Sequence, residues 1–157
     1  MMKRGGFTLI ELVVTVAIVG ILASALVPLG QLNVKRGKEA ELRVALRDIR
    51  SALDAYKKAV DEGRVEKTVD ASGYPSSLEV LVQGVPDARD PEKRPQRFLR
   101  RLPRDPMYPD PEASAEDTWG RRNYESDPGT PREGADVYDV YSLSRETGMN
   151  GIAYREW

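Results

Sequence analysis

From Phe7 to Leu32 the chain is almost unbrokenly apolar, and between Leu12 and Leu29 it carries no charge. Only Thr15, Gly20, Ser24 and Pro28 interrupt the aliphatic and alanine positions there. A helix that is apolar all round belongs in an apolar interior, not on a wetted surface, and a bilayer core takes about 20 such residues. The run therefore predicts a membrane-spanning helix at 7–32. Lys3 and Arg4 precede it, which predicts a cytoplasmic N-terminus and export of everything beyond the span. After Asn33 the apolar positions narrow to one face. Leu42, Leu46, Ile49, Leu53 and Tyr56 advance by alternating steps of four and three, the signature of an amphipathic helix. Glu39–Arg43, Arg50–Asp54 and Asp54–Lys58 are expected as i,i+4 pairs on its charged faces. Gly63 is a natural stop. Phe7 to about Glu62 thus reads as one helix, roughly 80 Å long at ~1.5 Å per residue. Pro28 removes a hydrogen bond and crowds the preceding turn, so a kink is expected there.

Residues 64–157 have a different texture, holding ten of the eleven prolines. Ser76-Ser77-Leu78-Glu79 has the form of a capping box opening a short helix that Gly84 would end. Residues 85–96 read as a polar loop. Phe98, Leu99 and Leu102 form a small apolar group able to pack on the long helix. Val137–Leu143 is the best strand candidate, rich in β-branched and aromatic residues, with Asn123–Ser126 as its expected partner. So few strands cannot bury a large core alone; this half must lean on the stripe at 42–56. The expected class is α+β: a long N-terminal helix packed against a small C-terminal antiparallel sheet with long loops. The expected divisions are 1–6, 7–32, 33–62 and 63–157.

Composition removes whole classes of chemistry. The 157 residues include no Cys and no His. That excludes disulfides, thiolate metal sites, histidine bases and histidine-ligated zinc. The formal charge is 24 − 25 = −1, which is not the balance of a nucleic-acid binder. Arg97, Arg100, Arg101 and Arg104 cluster, but only Phe98 accompanies them and acids follow closely, so the cluster reads as a solvated or inter-subunit face, with no nucleic acid expected. No arrangement of carboxylates, Lys or Tyr suggests a reaction, and no enzyme is expected.

The specific feature is Gly6-Phe7-Thr8-Leu9-Ile10-Glu11, set between a basic leader and the apolar run. A carboxylate near the start of a membrane span costs about 2.5–3.5 kcal/mol on insertion scales and normally has a partner and a task. Cleavage after Gly6 would give Phe7 a free amine, and the Glu11 of one subunit could neutralise the amine of another. These residues resemble the type IV pilin superfamily: a short basic leader ending in Gly, then Phe-Thr-Leu-Ile-Glu-Leu and an apolar helix. The resemblance implies a pilin-like fold, cleavage by a prepilin peptidase between Gly6 and Phe7, N-methylation of Phe7, and an assembly role for Glu11. Gly20 and Pro28 also fall where the family has a Gly and a loosening Pro.

The second half is similar in patches to the major pseudopilin of type II secretion: Gly73–Val82, then Phe98-Leu99-Arg100-Arg101-Leu102-Pro103-Arg104-Asp105-Pro106, then Asp139-Val140-Tyr141-Ser142, then Asn150-Gly151 and Trp157. This implies a non-enzymatic subunit in a helical homopolymer. Its partners would be further copies of itself, the prepilin peptidase, an inner-membrane assembly platform, minor pseudopilins and membrane lipid. The subunit would cross the inner membrane once, with its C-terminal part in the periplasm, and the filament would drive export of folded proteins. Glu11 favours the major subunit over a tip subunit. The resemblance also brings calcium into view, because major pseudopilins commonly bind it in the loop after the final strand. Here that loop reads Ser144–Gly151. Glu146 is its nearest carboxylate, Asn150 and Glu156 offer further oxygens, Arg145 opposes a cation, and the later Asp is missing. No metal ligands are assigned. Two rival classes stay open: a surface type IV pilin or minor pilin for adhesion, motility or DNA uptake, and a soluble secreted binding protein. In the latter, Ala23-Ser24-Ala25 would be a signal-peptidase site and the mature chain would begin near Leu26.

Overall fold

The computed structural model describes residues 8–69 and 71–157; the side chains of residues 24–30 lie outside that description. The leader 1–6 and the junction Gly6–Phe7 also lie outside it, as does any effect of the Pro28 ring. Helix α1 runs Leu9–Asp61, within two residues of both predicted ends. The chain divides into two compact units, Met1–Gly37 and Lys38–Trp157.

In the first unit the apolar side chains of α1 point outward on every side: Leu12, Val13, Val16, Ile18, Val19 and Ile21 are all at least half exposed. Among the described residues no helix is long and apolar enough to cross a membrane. The predicted span at 7–32 includes Phe7 and the side chains of 24–30, which are not among them.

In the second unit the predicted stripe becomes the core. Leu42, Leu46, Ile49 and Leu53 are at most 3% exposed, and Ala45 and Ala52 beside them let the rest of the chain approach closely. Against this face pack Leu78, Leu81, Trp119, Val137, Val140 and Tyr154, with Tyr56, Phe98, Leu99, Leu102, Met107 and Trp157 partly buried around them. Gly63 ends α1 as expected, at a left-handed φ of 68° that a side chain resists. Its amide and that of Arg64 donate back to Val60 and Ala59.

Helix α2, Glu79–Gln83, is the predicted short helix, closed at Gly84. Its predicted capping box is not made: no side chain caps it, and the Leu78 amide donates to Glu116 from a distant turn instead. Strands β1 (Val85–Pro86) and β2 (Pro95–Gln96) pair antiparallel, pinning the ends of the expected loop at 85–96. Strand β4, Asp139–Ser142, lies inside the predicted 137–143. Its partner is β3, Trp119–Arg122, not Asn123–Ser126. Trp119 opposes Ser142 and Arg122 opposes Asp139. The correction has a physical cause: Trp119 buries against the core and its indole donates to Pro103 O at 2.9 Å, so it anchors the strand four residues earlier than the sequence pattern suggests. Asn123–Ser126 forms a turn.

Asp105 is 2% exposed beneath β4. Its carboxylate accepts from Ser142 Oγ at 2.6 Å and Met107 N at 2.7 Å. Burial pushes its carboxyl above the usual range, and these two hydrogen bonds only partly offset that. A carboxyl raised on folding holds its proton longer in the folded chain, so stability falls as pH rises through the folded value. Asp105→Asn keeps an acceptor for Met107 N and a donor for Ser142. Its expected outcome is a melting temperature at neutral pH no lower than wild type, and a flatter rise of stability toward acid. Thermal unfolding across pH 4–7 measures both; a strong loss at neutral pH would contradict the account.

Candidate functional site

Two places on α1 carry polar chemistry in otherwise apolar settings. The first is the helix start. Thr8 and Glu11 cap each other: Thr8 N and Thr8 Oγ1 donate to Glu11 Oε2 at 3.0 and 2.9 Å. Glu11 N donates to Thr8 Oγ1 at 3.4 Å. Thr8-Leu9-Ile10-Glu11 is therefore a capping box, legible as T-x-x-E though not anticipated. It satisfies two donors that a helix N-terminus otherwise leaves open. Within one chain Glu11 is thus held by its own helix. Thr15 Oγ1 donates to the Glu11 carbonyl one turn on, so this hydroxyl in the apolar run is also satisfied.

The second place is the polar border of the stripe. Glu39 stands three residues before Leu42 and so continues the buried face. It is 4% exposed. Its Oε1 accepts from Met149 N at 2.8 Å and from Tyr154 Oη at 3.0 Å, and the expected Arg43 pairing is a looser 3.8 Å. The Tyr154 hydroxyl, buried and donating to a carboxylate, has its pKa pushed up to about 12. Arg43 also lies over the Trp157 ring, 4.3 Å from its centroid. Arg50 departs from its expected partner Asp54. Its guanidinium donates to Asp139 Oδ1 at 2.8 Å, to Trp157 O at 2.9 Å and to Val140 O at 3.2 Å. Asp139 is held on its other oxygen by Arg122. Asp54–Lys58 is likewise replaced, by Lys57–Asp61 and Lys58–Glu62. The long helix therefore grips strand β4 and the last loop at two points either side of Leu46 and Ile49.

The arginine cluster resolves differently. Arg104 is spent inside the chain on the carbonyls of Asp110 and Ala113. Arg100, Arg101 and Arg104 edge a groove of about 1060 Å³ floored by Ala40, Val44, Leu99 and Leu102.

The loop after β4 closes on itself. Tyr154 N donates to Glu146 O, Gly148 N to Ile152 O, and Gly151 N to Gly148 O. Asn150 Oδ1 accepts from Ile152 N, and Ile152 O also accepts from the Trp157 indole. Calcium takes six to eight oxygens at about 2.3–2.6 Å. Among the described residues no group of three or more acidic side chains is placed to hold a metal.

Comparison with known proteins bears on the whole chain. Residues 1–27 match the prokaryotic N-terminal methylation motif. The chain is 39% identical over 113 residues to the type II secretion system core protein G of Vibrio cholerae, spanning 68% of this chain and 67% of that protein. It is 34% identical over 158 residues to the type II secretion system core protein G of Pseudomonas aeruginosa, spanning 95% of this chain and 89% of that one. The chain belongs to the type II secretion core protein G family. The relative from Dickeya chrysanthemi, of the same name, is 37% identical over 112 residues, 66% of this chain and 63% of its own length. No solved structure matches the chain. Membership agrees with the pilin-like architecture seen here: one long helix and a small antiparallel sheet.

Replacing Arg50 by Ala removes three hydrogen bonds to β4 and the last loop while leaving Asp139 paired with Arg122. The expected loss is about 1–2 kcal/mol of stability, allowing for a partly exposed charge. Denaturant unfolding of the full chain in detergent would read it, with helix content unchanged. An unaltered midpoint would show that Arg50 is not a clamp.

Proposed function

We propose that the protein is a structural subunit of the type II secretion pseudopilus, made as a precursor and polymerised into a periplasmic filament that drives export of folded proteins. The observation that carries the reading is the division of α1. Its first stretch is apolar all round and presents those side chains outward, whereas its second stretch buries one apolar face against the globular half. The described apolar side chains of the first stretch stand exposed. Lipid covers it in the waiting subunit, in an inner membrane with the leader on the cytoplasmic side. Neighbouring helices cover it in the filament. Family membership supports the same arrangement.

In this reading a prepilin peptidase cuts between Gly6 and Phe7 and the new Phe7 amine is methylated. In the waiting subunit the Thr8–Glu11 box answers the requirement that polar groups in lipid be satisfied internally. On assembly the Glu11 carboxylate turns to a neighbour's Phe7 amine. That pairing removes a buried, uncompensated charge and sets the axial register of one subunit on the next. Pro28 sits in α1, where a missing backbone hydrogen bond lets the helix adjust. The assembly platform and minor pseudopilins act on the same helix and on the globular surface. The chain does no chemistry of its own.

Glu11→Val is expected to leave the subunit inserted in the membrane and to abolish pseudopili, and with them secretion. Fractionation and filament imaging in a deletion strain carrying the variant measure both. Normal filaments from the variant would sink the assembly mechanism. Intact secretion together with loss of surface filaments in the deletion strain would assign the protein to a surface pilus instead.

A further inference from the structure

We infer that the last loop of this protein is closed by a metal-free latch centred on Glu39, and that the stability of its fold is independent of calcium. The loop after β4 must be pinned to α1, because Tyr154 is fully buried against the stripe and the loop has little regular structure of its own, one bridge from Thr147 to Ala153 and a 3-10 turn at Tyr154–Glu156. A bound cation would pin such a loop by gathering its carbonyl and carboxylate oxygens inward. Here the opposite polarity is used. The helix supplies the anion, and the loop turns donors toward it: Met149 N and Tyr154 Oη both reach one Glu39 oxygen. A loop that aims an N–H and an O–H at its anchor point is built around a carboxylate, and the same atoms would face a cation with the wrong sign.

Three further features agree. Four of the loop's oxygens are engaged: Glu146 O, Gly148 O, Ile152 O and Asn150 Oδ1 all accept hydrogen bonds from within residues 148–157. The charges acting on the Tyr154 hydroxyl are Glu39, Glu146 and Arg43; the Arg43 guanidinium, which lies over Trp157 and 3.8 Å from Glu39, opposes an arriving dication. The Trp157 ring closes the latch from outside, edge-on to Tyr154 at 5.0 Å between centroids and so close over Gly148 that a Cβ there would overlap it. Glu39 therefore does from the helix what an ion would do from within the loop.

The test is thermal unfolding of the full processed chain in detergent, with excess calcium and with excess chelator, for the wild type, Glu39→Ala, Glu39→Gln and Tyr154→Phe. The wild-type midpoint is expected to move by less than about 1 °C between the two conditions, whereas an ion held at a hundredfold excess over its dissociation constant shifts it by several degrees. Glu39→Ala is expected to melt several degrees lower, equally with and without calcium. Glu39→Gln, which keeps one acceptor oxygen, and Tyr154→Phe, which removes one donor, should each lose less. These milder variants keep the result readable if Glu39→Ala does not fold. Stabilisation of the wild type by calcium would overturn the metal-free closure, and wild-type midpoints in all three variants would overturn the latch.

Discussion

Everything in the globular half depends on one constraint: the four-and-three stripe of α1 must be covered. A segment of this length with so little sheet cannot enclose a core of its own. Leu42, Leu46, Ile49 and Leu53 supply one wall, and Trp119, Val140, Leu78, Leu81 and Tyr154 the other. Sheet, short helix and loops are placed by what they contribute to that wall. Burial of this kind is worth about 1.5–3 kcal/mol per large side chain, but it is not directional. Direction comes from Glu39 and Arg50, which fix where the last loop and β4 meet the helix.

The same helix carries a second, opposite condition in its first stretch, where the described apolar side chains point outward and stand exposed. The two conditions explain why the helix is long. One end serves the subunit's own core, the other serves whatever surrounds the subunit. A polar group placed in the outward-facing stretch has to be answered locally, and the Thr8–Glu11 box does so. That local answer leaves the carboxylate intact and available for a stronger partner.

Much of this was legible in the sequence because it is periodic. The stripe, the stop at Gly63, the short helix closed by Gly84 and the strand at 139–142 all follow from spacing. Most of the misreadings have one cause: a distant partner prevails over the local rule. Arg50 has an acid four residues on, yet binds Asp139, 89 positions away. The Ser76–Glu79 box has the right letters, but Glu116 takes the Leu78 amide. Trp119-Gly120-Arg121-Arg122 lacks a strand's alternation because Arg121 is paired with Glu116 and Glu133 beside the sheet and Arg122 with Asp139 across it. One signal could have been used. Glu39 lies on the stripe's own phase, and a carboxylate in that position announces a buried partner. The proposed cleavage junction and the proposed role of Glu11 rest instead on a short motif, not on a packing pattern.

The measurement that tests the account most directly is intact mass and N-terminal peptide analysis of the protein taken from native membranes. The account predicts a chain that starts at Phe7, carries one methyl group on its amine and keeps the whole of α1. A mature chain starting near Leu26 would contradict it, because the outward-facing apolar stretch and Glu11 would have been discarded before the protein reached its place of work.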